Sequence, residues 1–261
     1  MAYQTLQFER ADGVARITLN RPQANALDPV MARELSAVAV ICDDDPTVRA
    51  VVITGAGKLF CGGGDLAVFA DAGPGAKSLI KTMAGDLHMA LSRFARMQAP
   101  VIAAVNGTAG GAGMSLVMAA DLAIAAQSAR FTMAYTRAGL SPDGSSTFYM
   151  PRKIGDRRTR ELMLTNRVLS AVEAAEWGIV NRVVADGDAL SEALTLATDL
   201  ASGATRAYGA VKMLLNETFE HGLEAQMELE ARAIADLAAS EDGQEGMRAF
   251  TEKRPPVFTG R

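Results

Sequence analysis

Two apolar stretches that both end in glycine-rich turns constrain this chain more than anything else in it. They read "VVITGAGKLFCGGGDL", from Val51, and "VIAAVNGTAGGAGMSL", from Val101. Each opens as a buried strand and passes through its glycines into a helix. A phosphate loop needs a Gly-Lys-Ser/Thr ending that neither stretch carries, and neither matches the dinucleotide fingerprint. One such turn alone is explained by tight strand-to-helix geometry. Two together point further, because backbone N–H groups at helix starts can converge on one oxygen and stabilise developing negative charge.

Strands and helices alternate around these turns. "YQTLQFER" and "VARITLN" flank Asp12-Gly13 as a hairpin. "PVMARELSAVAVICDDD" reads as a helix capped by Asp28 with Pro29 at its first position. "KTMAGDLHMALSRFARM" and "AGMSLVMAAD" read as helices, and "LAIAAQSARFTMA" as two short strands. Ser170 and Glu173 form a capping box for "AVEAAEW", which Gly178 closes, and the strand "IVNRVV" follows. Beyond Asp188 the pattern is helical, with breaks expected near Gly203, Gly222 and Gly243. The chain divides into an α/β body, residues 1–187, and a helical C-terminal region, 188–261. Alternation alone suggests a doubly wound sheet.

A net charge of −4 argues against a nucleic-acid partner, which needs a basic excess. The start "MAYQTLQFER" lacks the apolar run of a signal peptide. The uncharged run from Met97 to Ala120 is broken by Pro100, Asn106 and glycines, so no membrane span is expected. Two cysteines, Cys42 and Cys61, and two distant histidines form no metal-ligand spacing. No metal site is expected, and a reducing cytoplasm is the natural location.

The motifs carry a resemblance. "LNRPQANALD", "GAGKLFCGGGDL", "APVIAAVNGTAGGAGMSLVMAADLAIAA", "ARFTMAYTRAGLSPDGSSTFYMPRKIG", "AVEAAEWGIVNRVV" and "FTEKRPPVFTGR" follow in the order seen in the crotonase (enoyl-CoA hydratase/isomerase) superfamily. The chain resembles that superfamily over nearly its whole length. The resemblance implies a spiral of ββα units in place of a doubly wound sheet, with C-terminal helices that build homotrimers or homohexamers and cover the active site. It implies an acyl-CoA thioester substrate and no cofactor, coenzyme A being part of the substrate. It makes the N–H groups of Gly64 and Ala112 the oxyanion hole, with Gly62, Gly63 and Gly111 around them. Two such donors supply roughly 5–8 kcal/mol to an enolising thioester. Asp65 is then structural, capping the helix after Gly64.

Hydratases of the family carry two glutamates, whose places fall here at Ser115 and Tyr135. Both carboxylates are missing, which leaves these side chains as substrate contacts. Asp143, in "GLSPDGSSTFYMP", falls in the turn that crosses the active site, where superfamily members with aspartate use it as base or nucleophile. Read locally, an Asp after Pro is a turn-former; read with the resemblance, it is the catalytic carboxylate. The turn and the absent glutamates are most similar to the isomerases of phenylacetate degradation. The resemblance therefore implies a double-bond isomerase, with hydratase, acyl-CoA hydrolase or non-catalytic acyl-CoA binder as alternatives. Phe148, Tyr149 and Met150 are expected beside Asp143, and "LAVFADAGPGAKSLIKTMAG" in the pocket wall.

The remaining candidates read as structure. His88 shares a helix with Met83, Leu87 and Leu91 and reads as a packed or partly exposed histidine. Cys61 reads as small-residue packing. Arg152, Lys153, Arg157, Arg158 and Arg160 form a basic run suited to surface or subunit contact. By the resemblance, Lys253, in "EKRPP", is instead expected near the coenzyme A phosphates.

Overall fold

The computed structural model describes residues 3–261. β1 (Leu6–Ala11) and β2 (Val14–Leu19) form the expected antiparallel hairpin. Its turn is Asp12-Gly13, both at positive φ (51° and 80°), as a two-residue hairpin of matching twist requires. α1 (Pro29–Asp44) starts where Asp28 accepts the Met31 N–H, with Pro29 at its first turn. β3 (Ala50–Gly55), α2 (Leu66–Asp71), α3 (Ala76–Arg96), β4 (Val101–Val105), β5 (Ala109–Gly110) and α4 (Ala112–Ala119) follow. β6 (Leu122–Ala126) and β7 (Arg130–Thr132) lead to α5 (Ser146–Ile154) and α6 (Asp156–Thr165). Then come β8 (Leu169–Ser170), α7 (Ala171–Glu176), β9 (Arg182–Val184), α8 (Ala189–Ala201), α9 (Thr205–Glu217), α10 (Leu223–Ala238) and α11 (Glu241–Glu252).

The strands do not join one doubly wound sheet. One sheet runs β1-β2-β3-β4-β6-β9 and is parallel from β2 onward; a second runs β5-β7-β8. Cys61, bridged to Ala109 in parallel, extends the second sheet. Successive windings thus place β3, β4 and β6 in the first sheet, and Cys61, β5 and β7 in the second, before turning into helices. This is the spiral of ββα units.

The central strands are apolar on both faces for a visible reason. Val51, Ile53, Val101, Ala103 and Val105 point into one core, while Ala50, Val52, Ile102 and Ala104 point into another. Helix α8 covers that second face with Ala193, Ala197 and Ala201, spaced four residues apart on one stripe. Small side chains there let the helix lie close to the sheet. The division at residue 187 therefore precedes a helix that belongs to the packing of the body.

α9 is fastened to the body by Lys212, whose buried ammonium donates to the Phe94 and Ala99 carbonyls at 2.8 and 2.9 Å and lies 2.8 Å from the Asp121 carboxylate. α10 buries none of its residues and exposes Leu223, Met227 and Ile234, and α11 exposes Phe250. The break expected near Gly243 lies earlier, at Ala239-Ser240. Gly243 is inside α11, donating its N–H to the capping Ser240 hydroxyl. A Cβ there would sit 2.0 Å from the Leu237 carbonyl oxygen, so this glycine reflects close approach rather than a helix end. The Asp242 carboxylate accepts the Thr259 and Gly260 N–H groups at 2.7 and 2.8 Å, tying down the tail.

Candidate active site

The two glycine-rich turns meet backbone to backbone. The Cys61 N–H donates to Thr108 and the Gly110 N–H to Cys61 (3.1 and 2.9 Å), which sets the turns side by side. Gly63, at φ 106°, leaves room for a Cβ only 3.1 Å from the Gly110 carbonyl oxygen. Gly111, at φ 50°, would place one 3.4 Å from the Gly63 Cα. Only glycine combines these φ values with this proximity.

Most N–H groups here have partners. Gly62 donates to Ala24, and Gly111 to Thr132. Among the described residues, the Gly64 and Ala112 N–H groups make no hydrogen bond. Ala112 opens α4, where a first-turn N–H has no intrahelical acceptor. The surroundings of Gly64 are fixed from both sides, by the Leu27 N–H on the Gly63 carbonyl at 2.7 Å and the Asp65 N–H on Leu27 at 2.8 Å. Phe69 of α2 closes over Gly64, with its ring edge 2.9 Å from where a Cβ would stand. This contact sets Phe69, of the segment expected in the pocket wall, against the Gly64 backbone.

Asp65 is structural, as its position suggested. Its carboxylate caps α2 through the Ala67 and Val68 N–H groups, at 3.2 and 3.3 Å, and takes a 2.9 Å bond from the Arg21 guanidinium. Burial pushes its carboxyl up, but the Arg21 and backbone donors outweigh it and hold it below the usual range. Cys61 is fully enclosed, and burial pushes its thiol up to about 12. Its carbonyl oxygen lies 2.4 Å from a Cβ built on Gly113, so packing is its role.

Ser115, one turn after Ala112, connects this frame to Asp143. Its hydroxyl lies 3.1 Å from the Tyr135 hydroxyl and donates to the Asp143 carbonyl at 3.0 Å. The Tyr135 hydroxyl in turn donates to Asp143 Oδ1 at 2.7 Å. Burial first, and the adjacent Asp143 charge second, raise the Tyr135 phenol far above its ordinary value, so it is a lasting donor. The Asp143 carbonyl also accepts the Ser146 hydroxyl at 2.8 Å, which starts α5 directly behind the turn. Gly144 stands at φ 60° against Ser115, with 2.9 Å between the Ser115 Cβ and a Cβ built on Gly144.

Sequence reasoning missed two features of this corner. α5 begins only three residues beyond Asp143, although "GSS" and Pro151 look like helix breakers. His88 is half exposed and turned toward Asp143: its Nε2 accepts the Gly144 N–H at 3.2 Å and lies 3.8 Å from Asp143 Oδ2. A single helix pattern gives no sign of such a contact, which spans more than fifty residues.

A cavity of about 540 Å3 opens at Asp143, lined among others by His88, Ser92, Thr147, Phe148 and Tyr149. Met150, expected beside the carboxylate, is instead buried in the core. A neighbouring cavity of about 560 Å3, between α5 and α9, is more apolar but holds neither Asp143 nor either glycine turn. Asp143 lines the first cavity alone, and neither cavity is lined by the glycine turns. Lys253 caps the C-terminus of α11, exposed, and no hydrogen bond or ion pair among the described residues links it to the glycine turns. Of the basic run, Lys153 donates to the Ala120 carbonyl and Arg152 stacks between Phe148 and Phe219. Among the described residues, no group of three His, Cys, Asp or Glu could hold a metal ion, and no helix is long and apolar enough to cross a membrane.

Comparison with known proteins shows the family. The chain matches the Enoyl-CoA hydratase/isomerase family model over residues 9–261. It is 40% identical, over the full length of both chains, to a protein of Rhodobacter capsulatus named probable enoyl-CoA hydratase. It is 38% identical to the 1,2-epoxyphenylacetyl-CoA isomerase of Escherichia coli, over 95% of this chain and 96% of that one. A solved structure of a putative enoyl-CoA hydratase/isomerase from Mycobacterium abscessus superposes with a TM-score of 0.92 at 37% identity, covering 98% of this chain and all of that one. The chain belongs to the enoyl-CoA hydratase/isomerase family and is an enzyme of the crotonase superfamily.

Proposed function

We propose that this enzyme is an acyl-CoA isomerase that shifts a carbon–carbon double bond along an unsaturated acyl-CoA, with Asp143 as its base. The observation that carries this reading is the placement of Asp143. It is tied through Tyr135 and Ser115 to the helix that begins at Ala112. In the reaction, the thioester oxygen takes the free N–H groups of Gly64 and Ala112. Asp143 removes a proton from the carbon next to the thioester carbonyl of a 3-enoyl group. The electron pair moves onto the thioester oxygen as a dienolate, held by the two donors. Asp143 then returns the proton two carbons further along, and the double bond ends conjugated with the carbonyl.

Gly62, Gly63 and Gly111 shape the approach to the thioester, Ser115 and Tyr135 border the acyl group, and Lys253 meets the coenzyme A phosphates. The reaction needs a base and an oxyanion site, so this reading invokes no metal or redox cofactor. The similarity to an epoxyphenylacetyl-CoA isomerase supports a substrate of the phenylacetate-degradation kind. The exposed apolar residues of α10 and α11 support a homotrimer or homohexamer, and two free buried cysteines suit the cytoplasm.

A second reading, hydration with Asp143 activating water, is favoured by the name of the Rhodobacter relative. Incubation with trans-3-hexenoyl-CoA, and separately with trans-2-hexenoyl-CoA, in heavy-oxygen water separates the two. The isomerase converts the first to 2-hexenoyl-CoA without label, whereas a hydratase leaves the first unchanged and adds labelled water to the second, giving a labelled 3-hydroxyacyl-CoA. A labelled product as the main species would overturn the isomerase reading.

A further inference from the structure

Asp143 is held on two sides, and only one of them belongs to the hydroxyl pair. On the other, His88 reaches from α3 to the Gly144 N–H at 3.2 Å, with the same Nε2 3.8 Å from Asp143 Oδ2. A ring nitrogen that accepts a hydrogen bond carries no proton, so this contact specifies neutral His88 with its proton on Nδ1. In that form His88 pins the amide after Asp143 and leaves Oδ2 without a donor. The carbonyl of Asp143 is pinned by Ser115 and Ser146, so the donor and the acceptor of the peptide that follows Asp143 are both held.

A proton on Nε2 reverses the arrangement. The ring can no longer accept from Gly144, and its charge lies 3.8 Å from Oδ2 as one half of an ion pair. The carboxylate oxygen that Tyr135 leaves free is then occupied. The other charged or titratable groups on the same cavity are Arg96 of α3, Tyr149 of α5, and Glu217 and Glu220 at the end of α9. Tyr135 approaches Asp143 from the far side.

We infer that His88 is a positioning residue that holds Asp143 ready when neutral and blocks its free oxygen when protonated. The inference rests on Asp143 being the base. It assigns loss of turnover at acid pH to His88 rather than to the carboxylate itself.

The test combines pH–rate profiles on trans-3-hexenoyl-CoA with nitrogen NMR of the two histidine rings, the second being His221. In the wild type, kcat falls on acidification in step with protonation of the His88 ring. His88→Gln, whose amide oxygen can accept from Gly144 and does not titrate, keeps neutral-pH kcat within about threefold and loses that acid limb. His88→Leu lowers kcat about tenfold at every pH with KM within about twofold. In Asp143→Asn, the Nε2 resonance of the protonated His88 ring differs from that of the wild type, because its carboxylate partner is gone. An unchanged acid limb in His88→Gln, full kcat in His88→Leu, or the same His88 Nε2 resonance at acid pH in wild type and Asp143→Asn overturns the inference. Full turnover by Asp143→Asn would instead overturn Asp143 as base, and the Nε2 resonance still decides whether the two side chains are in contact.

Discussion

The Tyr135 hydroxyl donates to Oδ1 of Asp143 at 2.7 Å, across eight residues of chain. Tyr135 stands where hydratases of the family are implied to carry their second glutamate. A residue that cannot supply a carboxylate here orients one supplied by another turn. Hydrogen bonds to charged groups contribute roughly 1.5–3 kcal/mol. Tyr135→Phe should lower kcat about tenfold and leave binding of the coenzyme A thioester largely intact, as steady-state kinetics and calorimetry would measure.

The same tyrosine sets an alkaline limit on stability. Its folded-state value is raised above the 10.0 of a free phenol, so the native chain keeps a proton that the unfolded chain releases. Stability from this group is complete below about pH 10 and declines as pH rises further. Tyr3 and Tyr149, also raised by burial, share the effect. Urea midpoints at pH 8 and pH 11 should show a marked fall for the wild type and a smaller one for Tyr135→Phe.

Both cysteines should be silent in the folded protein. Burial pushes each thiol up to about 12, so the reactive thiolate is nearly absent at neutral pH. A chromogenic disulfide reagent should titrate no thiol in the native enzyme and both after denaturation.

Gly113→Ala tests whether the meeting of the turns matters to catalysis. The added methyl lies 2.4 Å from the Cys61 carbonyl oxygen and 2.7 Å from its Cβ. Overpacking of this kind costs about 1–3 kcal/mol, and it pushes α4, with the Ala112 N–H, away from Gly64. The melting temperature should fall, and kcat should fall about 100-fold, as misplacement of a positioned donor by about 1 Å implies.

Much of this was legible in the sequence because it is local. Asp12-Gly13, the Asp28-Pro29 cap and the Ser170–Glu173 box each have their cause within a few residues, and each formed where expected. The glycine turns were legible as turns; that they touch is a long-range fact, visible only once Gly63 and Gly111 are placed together. Alternation suggested one sheet, since nothing in a strand of two residues such as Ala109-Gly110 marks it as part of a second. α5 was hidden by Pro151, which sits within its last turns and whose missing donor costs the helix one bond. His88 was hidden because its spacing from Leu87 and Leu91 is that of any packed helix, while its partner lies on a distant turn.

The most direct measurement is deuterium transfer by Asp143→Asn. With trans-3-hexenoyl-CoA in heavy water, the wild type should form 2-hexenoyl-CoA and take deuterium onto the acyl chain. The variant should bind the thioester within about threefold of the wild type and lose both isomerisation and exchange by about 1,000-fold. Isomerisation and exchange at the wild-type rate in Asp143→Asn would contradict the account.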